Sequence, residues 1–176
     1  MVKNDLNRKI AIILGLLFII AIVAGLLLDT SDNSADISIN QDQGVMGTPF
    51  EFTLAMVVVV MPILMYPILR KYKLSLALGF VVGPLAVRNW GYGMVAPIVF
   101  SLGSLMFYYL LYKSKLIPRW LSGWGFIGGL IYLPGILIGV FGLTDPTILF
   151  APLGLQEMGL AAWLIGKEFN SSAITS

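Results

Sequence analysis

Residues 50–73 read FEFTLAMVVVVMPILMYPILRKYK, a run of twenty residues with a single charge followed by three basic residues within four positions. An α-helix rises about 1.5 Å per residue, so about 20 apolar residues cross the ~30 Å hydrocarbon core of a bilayer. The central MVVVVM shows no alternation of period two, which predicts a helix rather than a strand of a β-barrel. Basic residues beside such a helix mark its cytoplasmic end.

Five further stretches share this apolar character: 10–28, 74–90, 93–112, 119–142 and 147–166. Together with 50–69 they make six. Backbone polar groups cannot remain unpaired in hydrocarbon, so each stretch is predicted to be helical. The predicted fold is therefore all-α, a polytopic transmembrane bundle of six spans that forms one domain over residues 1–176. The shortest stretch, 74–90, contains Pro84; a full span is the favoured reading and a re-entrant segment the alternative.

The composition agrees, because 58% of the residues are hydrophobic, 11% are charged and the mean hydropathy is +0.90. Soluble domains carry about 25% charged residues. The chain has no Cys and no His, which excludes thiol catalysis, disulfides, Cys/His zinc sites and His-ligated haem. We expect no metal and no other cofactor, and no nucleic-acid partner, since the basic residues lie in short clusters at the ends of apolar stretches.

The basic residues also predict the topology. Ten of the eleven can be placed on one side of a membrane, with Arg88 as the exception: Lys3, Arg8, Lys9, Arg70, Lys71, Lys73, Lys113, Lys115, Arg119 and Lys167. Segment 29–49 contains four Asp and no basic residue, which predicts an acidic extracytoplasmic loop. The sequence thus predicts a multi-pass protein of the cell membrane with both termini cytoplasmic.

TPFE at 48–51 has the form of a capping box, which predicts that the second helix begins at Pro49.

Glycine pairs one helical turn apart predict close approach of helices. The pairs are Gly79 with Gly83, Gly125 with Gly129, and Gly135 with Gly139. Packing within one chain is the simpler interpretation, and a homo-oligomer formed through these small-residue faces is the alternative.

Glu157 is the foremost candidate for function, because it lies near the centre of the sixth predicted span. A central acidic residue costs about 2.5–3.5 kcal/mol on insertion scales, so such a residue suggests a functional site. It could bind a cation, carry a proton or act as a general acid or base. The structural alternative is a hydrogen-bonded Glu157 that joins helix six to its neighbours, with Gln156 beside it.

Further ligand-binding candidates lie in the fourth and fifth spans. Arg119 opens the fifth span, with Trp120 and Trp124 four residues apart on one face. This group could recognise a lipid phosphate, or it could serve as an interfacial anchor. Tyr108 is a candidate for lining a polar cavity, and aromatic packing is its alternative role.

Two strings in the C-terminal half carry a family resemblance: FYYLLYKSKLIPRWLSGWG at 107–125 and PLGLQEMGLAAWLI at 152–165. Over about 50–170 the chain resembles the prokaryotic membrane family known as domain of unknown function 4386. Members usually carry an Arg and a Glu on the third helix, where this chain has Pro84 and Val87. The resemblance implies a multi-spanning membrane protein and implies no activity.

Two functional hypotheses follow from these residues. The first is a non-enzymatic membrane protein that binds a hydrophobic small molecule, a lipid or a partner subunit within the helical bundle. The alternative is a membrane enzyme or a small transporter that uses Glu157 as a buried acid/base or ion site. One central carboxylate without His, Cys or a metal cluster is a small catalytic set, which favours the first hypothesis.

The topology can be tested with reporter fusions. We expect a fluorescent protein fused after Ser176 to fold in the cytosol, because the basic clusters hold that end inside. Alkaline phosphatase inserted into segment 29–49 should be active, and the same enzyme fused after Ser176 should be inactive. Activity of the Ser176 fusion would contradict the predicted orientation.

Overall fold

A computed structural model describes the backbone of residues 2–34, 43–90, 95–141, 147–170 and 173. The described chain consists of six α-helices without strands, which confirms the predicted fold class. The helices are α1 (Val2–Ser34), α2 (Gln43–Leu69), α3 (Leu74–Trp90), α4 (Val95–Ser114), α5 (Arg119–Val140) and α6 (Thr147–Lys167).

The helix ends differ from the prediction at two places. α2 begins at Gln43, so Pro49 lies inside the helix and the predicted start at a capping box is wrong. The carbonyl of Pro49 instead accepts a 2.8 Å hydrogen bond from the Thr53 hydroxyl. α1 continues to Ser34, so both ends of segment 29–49 are helical. The rest of that segment, 35–42, and the side chain of Arg88 lie outside the described residues.

The six helices form a closed ring in which each helix packs mainly against its two neighbours in sequence, and α6 packs against α1. Contacts between α1 and α6 show that these helices are antiparallel: Gly15 lies against Ala161 and Ile165, while Arg8 pairs with Glu168. An even number of alternating helices is what allows the first and last to close in this way. α3 is an unbroken helix of 17 residues, about 25 Å long, and whether it passes fully through a membrane or is re-entrant stays a prediction.

The chain segments at one end of the ring are tied together by contacts between residues distant in sequence. Arg8 Nε lies 3.4 Å from Glu168 Oε1. The backbone N–H of Asn170 donates to the carbonyl of Leu116 at 2.8 Å. The Tyr72 hydroxyl donates to the carbonyl of Ala173. Partial burial raises the pKa of Tyr72 above its ordinary value, which keeps this phenol protonated as a donor.

These contacts bring the basic clusters to the same end of the ring. The described exposed cations there are Arg8, Lys9, Arg70, Lys71, Lys73, Lys113, Lys115, Arg119 and Lys167. Four of them lie over aromatic rings: Arg70 over Tyr66, Lys113 over Tyr109, Arg119 over Tyr112 and Lys167 over Trp163. We call this surface the basic end. Its existence agrees with the clustering that the sequence predicts.

The outer surface of the ring is apolar. Four helices contain described segments long and apolar enough to cross a membrane: Leu6–Leu27, Phe52–Leu69, Arg119–Gly139 and Ile148–Lys167. Large hydrophobic side chains point outward from them, among them Ile20, Val23, Phe52, Met56, Ile127 and Leu155. Exposed apolar surface of this extent indicates a membrane protein rather than a soluble one.

Glycines on α5 let its neighbours approach closely. A Cβ built on Gly125 would lie 2.4 Å from the Tyr108 ring of α4, and one on Gly128 would lie 3.2 Å from the Leu153 backbone of α6. A Cβ on Gly129 would contact the Leu105 side chain, and a Cβ on Gly135 would contact the Phe150 ring. These small residues therefore already serve helix packing within the chain, as the simpler interpretation of the glycine pairs expects.

Gly125→Ala should lower stability by about 1–3 kcal/mol, because the new methyl group overlaps the fully buried ring of Tyr108. Gly123→Ala is the matched control on the same helix, since nothing lies within 4 Å of its Cβ. The control should be neutral or more stable by about 0.5–1 kcal/mol. Thermal unfolding in detergent measures both, and equal melting temperatures would contradict this packing.

Candidate functional site

A cavity of about 60 Å³ lies inside the ring. Five of its lining residues are aromatic and come from three helices: Phe18 on α1, Phe80 on α3, and Phe100, Phe107 and Tyr108 on α4. The cavity lies near the middle of the bundle, as the rise per residue along α6 shows. Glu157, which also lines it, lies ten residues before Lys167 and hence about 15 Å from the basic end.

The remaining walls are supplied by α2, α4 and α6. Val58, Met61 and Pro62 form an aliphatic side, and Gly103 and Ser104 leave open space on α4. The Ser104 hydroxyl is engaged within its own helix, donating to the carbonyl of Ser101 at 2.8 Å. The cavity is thus apolar except where Glu157 and Tyr108 meet it.

Glu157 supplies the one carboxyl group among the described lining residues, and no Lys, Arg or Asp contributes to the described wall. It makes no ion pair within the described part of the chain. Glu157 on α6 and Tyr108 on α4 line this cavity together. Two of the residues that the sequence suggests for function, Glu157 and Tyr108, are therefore brought together.

Tyr108 is held by packing on every side. Its side chain is 1% exposed, its ring lies on Gly125, and its centroid is 5.2 Å from that of Phe107. Its hydroxyl group has no hydrogen-bond partner among the described residues. A buried hydroxyl without a partner costs about 1–3 kcal/mol, so this group is a donor available to a bound molecule.

Gln156 lies next to Glu157 in sequence, but its side chain contacts α5 instead of the cavity. It is fully buried, and its Nε2 donates to the carbonyl of Leu121 at 3.1 Å. Its Oε1 is the other buried polar atom without a partner in the described structure. Gln156 does not line the cavity, so its role in ligand binding stays a prediction.

Arg119, Trp120 and Trp124 lie on the outer surface of the bundle. Arg119 is exposed at the basic end with its guanidinium 5.4 Å from the centre of the Tyr112 ring. Trp120 is 63% exposed and Trp124 is 37% exposed. The structure does not bring these three residues to the cavity, and any ligand they recognise must bind on the outside.

The phenylalanine lining is not evident from the sequence. Phe107 is the centre of this group, stacked on Phe80 at 4.9 Å and tilted against Phe18 at 6.4 Å. A phenylalanine in an apolar span is an ordinary core residue, so no local signal distinguishes one that lines a cavity. Only the convergence of three helices identifies it.

Comparison with known protein families gives one match. Residues 83–167 match the domain of unknown function DUF4386. The match agrees with the resemblance carried by the 107–125 and 152–165 strings, and it begins later than residue 50. The DUF4386 region contains α4, α5 and α6, and hence Tyr108 and Glu157. Searches of curated proteins and of solved structures found no match.

Gln156→Leu should change stability by less than about 1 kcal/mol, because it removes the unpaired Oε1 together with one hydrogen bond. Gln156→Glu should destabilise by ~3 kcal/mol, because it removes the donor to Leu121 and places a second buried carboxyl beside Glu157. Thermal unfolding of the two variants in the same detergent provides the comparison. A Leu variant as unstable as the Glu variant would show that the hydrogen bond to Leu121 matters more than the unpaired oxygen.

Proposed function

We propose that this protein is a multi-pass cell-membrane protein, with both termini cytoplasmic, that binds a small hydrophobic molecule or the end of a lipid inside its helical ring. The observation that carries the proposal is the mid-depth cavity, whose apolar walls surround one carboxyl group and one unpartnered buried hydroxyl. The apolar part of a ligand would contact the Phe and aliphatic side chains. Its polar part would accept a hydrogen bond from Tyr108 and interact with Glu157.

The size of the cavity limits what can bind. One water needs about 10–15 Å³, and a cavity of about 150 Å³ holds benzene. A cavity of about 60 Å³ therefore accepts a group of a few heavy atoms or the tip of a chain, whereas drug-sized ligands occupy about 300–1,000 Å³. A larger ligand would leave most of its length outside the ring, as a membrane lipid can.

The alternative function is a membrane enzyme or small transporter that uses Glu157. The observation in its favour is that Glu157 and Tyr108 line the same cavity. Catalysis requires several groups to converge on one substrate position. Arg119, the other candidate, does not line the cavity, so ligand binding is the better-supported function.

Binding can be tested by native mass spectrometry of the protein released from detergent. We expect a bound small molecule or lipid on the unaltered protein, with occupancy at least threefold lower in Glu157→Gln and Tyr108→Phe. Tyr108→Phe should fold normally or be more stable, because it removes a hydroxyl without a partner. Two residues outside the cavity give matched controls: Tyr112→Phe, exposed on the same helix as Tyr108, and Glu168→Gln, partly exposed directly after α6.

Equal occupancy in the cavity variants and in both controls would contradict the proposed site. A bound molecule lost equally from Tyr112→Phe and Tyr108→Phe would place the ligand on the outer surface near Arg119 instead.

A further inference from the structure

The cavity combines an aromatic lining with a single negative group. Phe18, Phe80, Phe100, Phe107 and Tyr108 supply rings from three helices, and Glu157 supplies the carboxyl group. The π faces of such rings carry partial negative charge and attract cations. Several rings around one small space are the arrangement that recognises alkylammonium groups.

Among the residues that the structure describes, Glu157 has no permanent positive partner. No Lys or Arg lines the described wall, and the nine described cations of the basic end are exposed at its surface. An ionised carboxyl group in an apolar interior is costly unless a cation accompanies it. A ligand that carries its own positive charge supplies that partner, and a neutral ligand does not.

The packing favours a compact cation with little need for hydrogen bonds. The Ser104 hydroxyl is already engaged with the Ser101 carbonyl, and the nearby walls are Phe, Val, Met and Pro side chains. A metal ion would require several oxygen ligands, and no group of three acidic residues is present in the described structure. Methyl groups on a nitrogen, by contrast, are satisfied by aromatic and aliphatic contacts.

We propose that the cavity binds a small alkylammonium group, either a free amine or the ammonium head of a larger amphiphile, with Glu157 as its counter-ion and the phenylalanines as its cage. This inference rests on the proposed binding function and adds the chemical class of the ligand. Tyr108 closes the cage on the side of α5, where Gly125 makes room for its ring.

Calorimetric titration of the detergent-solubilised protein with trimethylammonium chloride tests the inference, at an ionic strength held constant with NaCl. This cation has four heavy atoms, in keeping with the small cavity, and 2-propanol is the uncharged probe with the same number of heavy atoms and similar branching. We expect trimethylammonium to bind at least tenfold more tightly than 2-propanol. Glu157→Gln should weaken its binding at least tenfold, and Glu168→Gln should leave it unchanged.

The contribution of the aromatic rings to cation binding is tested with a separate variant. Phe107→Leu should weaken trimethylammonium binding about three- to tenfold while preserving an apolar wall. Phe126→Leu is the matched control, because Phe126 packs against the core without lining the cavity. If Phe107→Leu fails to fold, Phe100→Leu tests the same contribution on the same helix. If the folded Phe107→Leu or Phe100→Leu variant binds the cation as tightly as the unaltered protein, the proposed aromatic cage is overturned.

The outcomes separate this inference from the function on which it rests. Equal binding of both probes, unaffected by Glu157→Gln, would overturn the ammonium ligand and leave an apolar binding site. Binding of neither probe, with a co-purified molecule still dependent on Glu157, would also overturn the ammonium ligand alone. Binding of neither probe, with retention independent of Glu157 and Tyr108, would overturn both proposals.

Discussion

The antiparallel contact between α1 and α6 is the constraint on which the arrangement depends. Gly15 allows α1 to approach Ala161 and Ile165 closely, and the pair turns a row of sequential helices into a ring. Without this closure α1 and α6 would each lack a neighbour. Phe18 and Glu157, which these two helices supply, would no longer face the aromatic groups of α3 and α4 across a common interior.

Much of the architecture could be predicted from the sequence, because membrane insertion depends on local composition. Six apolar stretches predict six helices, and their positions agree with the structure to within a few residues at most ends. The largest differences lie where no membrane boundary constrains the chain: α1 extends beyond 10–28 in both directions, and α2 starts before Pro49. A helix can continue outside an apolar core without any change in hydropathy to mark it.

The candidate site could be predicted only in its polar part. Glu157 is visible in the sequence because a carboxyl group within an apolar span is rare. Tyr108 could be suggested and Gln156 could be placed beside Glu157, but which of them faces the interior depends on helix rotation. That rotation is decided by contacts such as Gly125 with Tyr108 and Gln156 with Leu121. The phenylalanine lining depends on three helices at once and has no counterpart in any local pattern.

The ring closure also has a consequence for how the molecule is made. A ribosome makes α1 first, so the face of α1 around Gly15 has no α6 to pack against until the five later helices have been made. Closure is therefore a late step that joins the oldest segment to the youngest. A chain that stops before α6 would remain an open arc, with the apolar faces of α1 and α5 uncovered.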